Sequence, residues 1–229
     1  MKYNKTKEAV FINRPNRFLA NVSIDGNTEK VHVKNTGRLK ELLIDGAKVI
    51  LEEGSNPIRK TKHSLIAVYK EGKIINIDSQ APNEAALEAL KNGIIAEIGV
   101  PDMAKREVKY NNSRFDIYYE NKGKKGFIEV KGVTLNDNGT ARFPDAPTER
   151  GTKHLRELIK AHEEGFDCSV LFVIQMKNIS CFKPNYITDP VFSKELKNAH
   201  KAGVNILAYD CLITENSMTI DKEIKVILN

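Results

Sequence analysis

Hydrophobic positions recur along the chain in short runs, and the character of those runs changes near residue 80. Up to that point they read as strands divided by turn signals. Asn16 to Ile24 predicts a strand that ends at Asp25-Gly26, a hairpin turn sequence. Glu29 to Lys34 alternates, with Val31 and Val33 on one face and His32 and Lys34 on the other. Asn35-Thr36-Gly37 breaks that strand, and Arg38 to Leu43 is long enough for one helical turn. Asp45-Gly46 opens a further strand, Ala47 to Leu51. A polar loop holding Asn56, Pro57, Arg59 and Lys60 precedes Ser64 to Lys70 and Ile74 to Ile77. Five short strands with one turn inserted fit a small OB-like barrel, as they would other five-stranded barrels.

Ser79-Gln80-Ala81-Pro82 punctuates the chain, and helical periodicity follows. Asn83 to Ile94 predicts an amphipathic helix through Ala85, Leu87, Ala89 and Leu90. Strands are expected at Arg106 to Tyr110, Arg114 to Tyr119 and Phe127 to Val130. They are connected by Asn111-Asn112 and by the segment 121–125, which gives an antiparallel meander. Thr148 is placed to cap a helix that runs to about Glu164 and stops at Gly165. Ser169 to Gln175, a helix near Phe192 to Ala202, and Val204 to Tyr209 complete the pattern. The fold class is therefore a two-domain α+β/α/β chain. An OB-like β-barrel (1–80) precedes an α/β sandwich with a mixed sheet (81–229).

Composition narrows the classes. The chain has 229 residues, 41% hydrophobic and 29% charged, enough to bury a core without disulfides or a structural metal. No apolar run approaches the ~18 residues that span a bilayer, so no membrane role is expected. The polar opening from Met1 to Val10 lacks the pattern of a secretory signal. Three cysteines, Cys168, Cys181 and Cys211, with no close pair, suit a reducing, cytoplasmic setting. Charge is the informative quantity. Residues 1–80 carry 15 Lys and Arg against 9 Asp and Glu, and the remainder carries 21 of each, so the net +6 lies in the first third. Such asymmetry suits one part that grips a polyanion, and a basic solvated surface without a partner fits the charge equally well. Within the barrel, Arg38, Lys40, Arg59, Lys60 and Lys62 are the candidates for a basic groove.

The candidate chemistry lies on the meander. Glu129 and Lys131, two apart on one strand, share a face, and the hairpin brings Asp116 of the adjacent strand within reach of it. Two converging carboxylates make an oxygen-rich seat for Mg²⁺ or Mn²⁺, to which the carbonyl of Val130 can add. A neighbouring lysine is what phosphodiester hydrolysis needs to orient a water or to stabilise charge on the phosphate. Downstream, Phe143-Pro144-Asp145-Ala146-Pro147 leads into the helix capped by Thr148. Its N-terminus suits a phosphate, with Arg150, Lys153 and His154 in the first two turns. Other chemistries lack residues to carry them: there is no GxSxG elbow, Walker loop or GxGxxG, and no histidine pair at HExxH spacing.

The spacing Asp-x12-Glu-x-Lys resembles the PD-(D/E)xK nuclease superfamily. That resemblance implies a further acid on the preceding helix, for which Glu88 is best placed, with Glu84 and Glu97 behind it. Longer strings resemble one family, the sugar fermentation stimulation protein A family of bacteria and archaea. They are Asn35-Thr36-Gly37-Arg38-Leu39, Ile128-Glu129-Val130-Lys131-Gly132-Val133-Thr134-Leu135, and Phe143-Pro144-Asp145-Ala146-Pro147-Thr148-Glu149-Arg150-Gly151. Arg17-Phe18-Leu19-Ala20, Lys153-His154-Leu155 and Ile206-Leu207-Ala208-Tyr209 also fit. The resemblance implies an OB-like domain, a PD-(D/E)xK-like domain and DNA binding without sequence specificity. It also implies a link to sugar-utilisation (maltose) genes. Two functions are thus expected to compete. One is a metal-dependent nuclease, with Asp116, Glu129 and Glu88 on Mg²⁺ or Mn²⁺ and Lys131 activating water. The other is a non-catalytic DNA-binding regulator on a nuclease-like fold. A homodimer is compatible with either.

Overall fold

The computed structural model of the protein describes residues 1–54, 58–111 and 113–229. The expected loop residues Asn56 and Pro57 and the turn residue Asn112 lie outside them. The chain divides into two compact units. One comprises Met1–Ala81, Gln175–Lys177 and Leu212–Thr219, and the other Pro82–Ile174, Asn178–Cys211 and Ile220–Asn229.

The first unit is built on β1 (Thr6–Asn16), β2 (Leu19–Ile24), β3 (Asn27–Val33), β4 (Lys48–Glu53), β5 (His63–Lys70) and β6 (Lys73–Asn76). Strands β3-β2-β1-β4-β5 follow one another antiparallel, and a parallel β3–β5 pairing closes them into a five-stranded barrel of OB-like topology. β6 adds to the outer edge of β5. Alternation fills the interior: Ala20, Val22, Val31, Val33, Val49, Leu51 and Leu65 are all but fully buried. The β2–β3 hairpin turns at Asp25-Gly26, both at positive φ, as that dipeptide favours.

Two expectations change here. The run from Asn16 to Ile24 is not one strand, because Asn16 turns the chain. Its Oδ1 accepts hydrogen bonds from the backbone N–H of Phe18 (2.9 Å) and Leu19 (3.1 Å), which ends β1 and starts β2. The polar opening is itself strand from Thr6 onward. Lys7 and Glu8 face outward while Ala9 and Phe11 fill the barrel. Arg38 to Leu43 closes as a single turn through Leu43 N–H to the Leu39 carbonyl at 2.9 Å, with Leu39, Leu42 and Leu43 buried beneath it.

The second unit is an α/β assembly around a mixed sheet. Its elements are α1 (Ala81–Lys91), β7 (Met103–Tyr110), β8 (Ser113–Asn121), β9 (Lys124–Val133), β10 (Leu135–Asp137) and β11 (Thr140–Phe143). They continue with α2 (Glu149–Glu163), β12 (Asp167–Ile174), β13 (Cys181–Pro184), α3 (Pro190–Lys201), β14 (Asn205–Thr214) and β15 (Ser217–Glu223). Sheet order is β15-β14-β12-β9-β8-β7. The expected meander is β7-β8-β9, antiparallel. β12 then lies parallel to both β9 and β14, as strands joined through a helix must. The small sheet β10-β11-β13 and the hairpin strand β15 were not expected, their short or polar stretches carrying no periodicity long enough to read.

The start of α2 is where Thr148 placed it, whereas α1 and α3 each begin two residues before the expected Asn83 and Phe192. Thr148 Oγ1 accepts from the Gly151 N–H at 3.0 Å and opens α2, and Gly165 follows its end at positive φ. Asp189 caps α3 through Phe192 N–H at 2.9 Å, and its other oxygen accepts from the Thr148 N–H at 2.8 Å, so one side chain ties two helix starts together. No helix among the described residues is long and apolar enough to cross a membrane.

Candidate functional site

β9 is the central strand, flanked by β8 and β12, and Gly126 to Val130 are all buried. A charged residue in such a run has to be satisfied inside the fold. Glu129 is 2% exposed. Its Oε1 accepts from Lys131 Nζ at 2.5 Å and is hydrogen bonded to His154 Nδ1 of α2. Its Oε2 is buried and has no partner among the described residues. Burial pushes the Glu129 carboxyl up, but Lys131 and His154 outweigh it and hold the group below the usual carboxylate range.

The β8–β9 register, with Ile117 opposite Ile128, places Asp116 across from Glu129. Asp116 Oδ2 accepts from the backbone N–H of Val130 at 2.8 Å, and Oδ1 accepts from Asn83 Nδ2 of α1 at 2.8 Å. Here the direction of shift is opposite. Burial, then the Glu129 carboxylate, raise the Asp116 carboxyl above its ordinary value, only partly opposed by Val130, Lys131 and Asn83. Two carboxylates facing each other with pKa values pushed apart mark a functional-site candidate.

From α1, Asn83 reaches this pair, through its hydrogen bond to Asp116. Glu88 and Glu84 lie on exposed positions of α1, and Glu97 beyond it accepts from the Tyr209 hydroxyl at 2.7 Å. Among the described residues, no group of three or more His, Cys, Asp or Glu side chains is arranged to hold a metal ion. The carboxylates that the register brings together are those of Asp116 and Glu129.

His154 belongs to this centre and not to the outer face of α2, because α2 packs on β12 and β8 and turns His154 inward, 7% exposed. Arg150 and Lys153 stay on the exposed face of the first two turns. Asn83 and the inward role of His154 were not read from the sequence. Both depend on how a helix is rotated against the sheet. The one available signal was that His154 falls four positions before Leu158 and next to Leu155, on the apolar stripe of α2.

In the first unit, Arg38 and Lys40 lie on the connection between β3 and β4, and Arg59, Lys60 and Lys62 on that between β4 and β5. Arg38, Lys40, Lys60 and Lys62 are exposed, with Lys62 3.7 Å from Glu53. Arg59 is half-buried and donates to Ser64 Oγ at 2.7 Å.

Residues 80–217 match the Sugar fermentation stimulation protein RE domain, and residues 12–77 match the SfsA N-terminal OB domain. A Sugar fermentation stimulation protein homolog of Clostridium tetani is 55% identical over 223 residues, 97% of each chain. The homolog of Clostridium beijerinckii is 55% identical over 229 residues, 100% of each. Among solved structures, that of Pyrococcus furiosus SfsA in complex with Ca²⁺ superposes with a TM-score of 0.89 at 29% identity, covering 99% of this chain and 98% of its own. With an OB-like barrel, a mixed-sheet α/β unit and near full-length identity to these relatives, the chain belongs to the sugar fermentation stimulation protein family.

Proposed function

We propose that this protein binds DNA through its phosphate backbone and that Asp116 and Glu129 form a divalent-cation site of nuclease type. The observation that carries the reading is the buried Oε2 of Glu129, without a partner among the described residues, at the strand position opposite Asp116. A buried carboxylate oxygen without a donor is costly unless something completes it. An oxygen-only set suits a hard cation, and Mg²⁺ commonly takes one or two carboxylates, with water and substrate phosphate supplying the rest. Pyrococcus furiosus SfsA, described in complex with Ca²⁺, lends support from a relative. When bound, such an ion supplies charge neutralisation at a phosphate and a more acidic water.

The chain's own residues have distinct parts in this reading. Asn83 and the Val130 N–H orient Asp116, and His154 and Lys131 hold one oxygen of Glu129 so that the other stays available. Lys131 is 16% exposed in its side chain, enough to exchange Glu129 for a phosphate or a water. Arg150, Lys153 and the basic residues of the first unit bind backbone phosphates without reading bases.

A second reading has its own support. Lys131 is paired with Glu129 at 2.5 Å, and among the described residues no group of three or more His, Cys, Asp or Glu side chains is arranged to hold a metal ion. That favours a protein that grips DNA on a nuclease-like fold without cutting it. Calorimetric titration with Mg²⁺ and with Ca²⁺ tests the cation site common to the nuclease reading. Saturable binding by the wild type that disappears in Asp116→Asn is the expected result. Equal heats for the two proteins would remove the cation site and leave the second reading.

A further inference from the structure

The first unit carries a feature that the cation site does not use. The turn between β1 and β2 presents Phe18 at 52% exposure, although an aromatic ring of that size is ordinarily covered. Its surroundings are basic and tightly organised. The guanidinium of Arg14 donates to four backbone carbonyls: Arg17 (2.6 Å), Asn35 (2.5 Å), Gly37 (2.7 Å) and Arg38 (3.0 Å). One half-buried side chain thus binds the β1–β2 turn to the segment after β3. It ties the backbone of Arg17, and with it the adjacent Phe18, to the backbone of Arg38, and both arginine side chains are exposed. The Val33 N–H donates to the Phe18 carbonyl at 2.8 Å and fixes the backbone under the ring.

The cost of that arrangement is electrostatic. Burial, then the neighbouring Arg17, hold the Arg14 guanidinium below its ordinary pKa, and its Nε is buried with no partner among the described residues. No ion pair neutralises Arg17, Arg38 or Lys40 among the described residues. The segments 13–18 and 34–40 contain five Lys and Arg and no Asp or Glu. An anion is what this cluster lacks.

The register extends the surface. Leu19, next to Phe18, pairs with His32 of β3, and His32 pairs with Ser64 of β5, so the three lie in one row across the barrel wall. Arg59 reaches that row through Ser64 Oγ. Its charge, after burial, depresses the His32 pKa. Glu52, the next residue of the row, is held by Lys34 Nζ at 3.1 Å, so it does not oppose the others. An exposed aromatic ring next to Arg17 in the chain, on a turn whose backbone is tied to that of Arg38, and adjoining a strand row that Arg59 reaches through Ser64, offers π-contact and phosphate contact at adjacent points. A duplex keeps its bases stacked on one another and offers the ring nothing. An unpaired strand offers both a base face and a phosphate.

We infer that the β1–β2 turn is a binding site for an unpaired nucleic-acid strand, with Phe18 stacking on a base and Arg17 and Arg38 on the flanking phosphates. This rests on the nucleic-acid reading above and names the form of the strand. It is independent of whether Asp116 and Glu129 take a cation.

The test is fluorescence anisotropy of the full-length protein with a labelled oligothymidylate and with the same strand paired to its complement. The wild type, Phe18→Ala, Phe18→Tyr and Arg38→Ala are compared across a salt series, with thermal melts as a check on folding. Phe18→Ala is expected to lose about tenfold in affinity for the single strand, to change little on the duplex and to keep the salt slope. Phe18→Tyr restores single-strand affinity, and Arg38→Ala lowers the salt slope on both ligands by about one unit. Unchanged single-strand binding by Phe18→Ala, or an equal loss on both ligands, overturns the stacking site while leaving DNA binding intact. A wild type that binds neither ligand at any salt overturns both it and the nucleic-acid reading.

Discussion

Asp116 and Glu129 face each other across two strands, yet folding treats their charges in opposite ways. Asp116 binds its proton more tightly folded than unfolded, so stability falls as pH rises from the ordinary carboxyl range through its raised pKa. Glu129 binds its proton less tightly when folded. The stability it supplies is present above the ordinary carboxyl range and is lost as pH falls through its lowered pKa. Asp116→Asn removes the unfavourable charge. Its remaining oxygen can accept from the Val130 N–H while its amide donates to a flipped Asn83. Its melting temperature at neutral pH is expected to equal or exceed that of the wild type, the difference closing towards about pH 4. Glu129→Ala strands Lys131 and His154 and is expected to cost about 2 kcal/mol. That is less than the about 3–5 kcal/mol for a fully buried pair, because Lys131 can turn to water. Denaturant titration at several pH values measures both, and a stability loss by Asp116→Asn exceeding that of Glu129→Ala would contradict this assignment of charges. Asp116, Glu129 and Lys131 were legible in the sequence because strand alternation and a hairpin fix which residues share a face. Asn83 and His154 were not, because a helix can present any of several faces to a sheet until the rest of the core is packed.

At the scale of elements, β9 determines what the site can be. Its place between β8 and β12 pairs both of its edges, and with Gly126 to Val130 all buried Glu129 becomes an interior charge instead of a solvated strand end. Gly126 marks how tightly the three strands close. A Cβ there would sit 2.5 Å from the Asp167 carbonyl oxygen of β12 and closer still to the Tyr119 ring. That ring crosses the strand so that its hydroxyl can donate to Asp167 Oδ2 at 2.7 Å. Backbone on one side and a hydrogen-bonded ring on the other leave no room to yield. Gly126→Ala is therefore expected to lose about 1–3 kcal/mol in urea denaturation. A loss below about 0.5 kcal/mol would mean that β8, β9 and β12 are less closely packed than described. The elements most readily read from sequence were those with a cap or a turn at a defined offset: Thr148 before α2, Asp25-Gly26 between β2 and β3. Those missed were set by partners distant in the chain. Met1 to Val10 reads as a polar opening, and its strand from Thr6 onward is set by pairing with β2 and β4, while β13 acquires its strand character from pairing with β11.

Across the whole molecule, charge and carboxylates are segregated. The net +6 falls entirely within residues 1–80, while Asp116, Glu129, Lys131, Asn83 and His154 all belong to the second unit, with Arg150 and Lys153 at the start of α2. That division was visible in composition alone, since opposite-sign counts need no fold to be compared. Turn spacing suggested a five-stranded barrel without choosing its topology; the structure makes Thr6–Asn16 one of the five strands in place of the expected Ile74 to Ile77, and the β3–β5 pair closes them. Under the proposed function, the basic barrel holds a nucleic-acid backbone and the carboxylates of the second unit carry the cation site. The most direct measurement is cleavage of labelled single-stranded and duplex DNA in Mg²⁺ or Mn²⁺ by the wild type, Glu129→Ala and Lys131→Ala, with DNA affinity recorded for each. Cleavage by the wild type that both substitutions abolish, with affinity within about twofold of wild type, is the outcome expected of a phosphodiesterase site at Asp116 and Glu129. A wild type that binds DNA and leaves it intact in either metal, or cleavage that persists in Glu129→Ala, would contradict it.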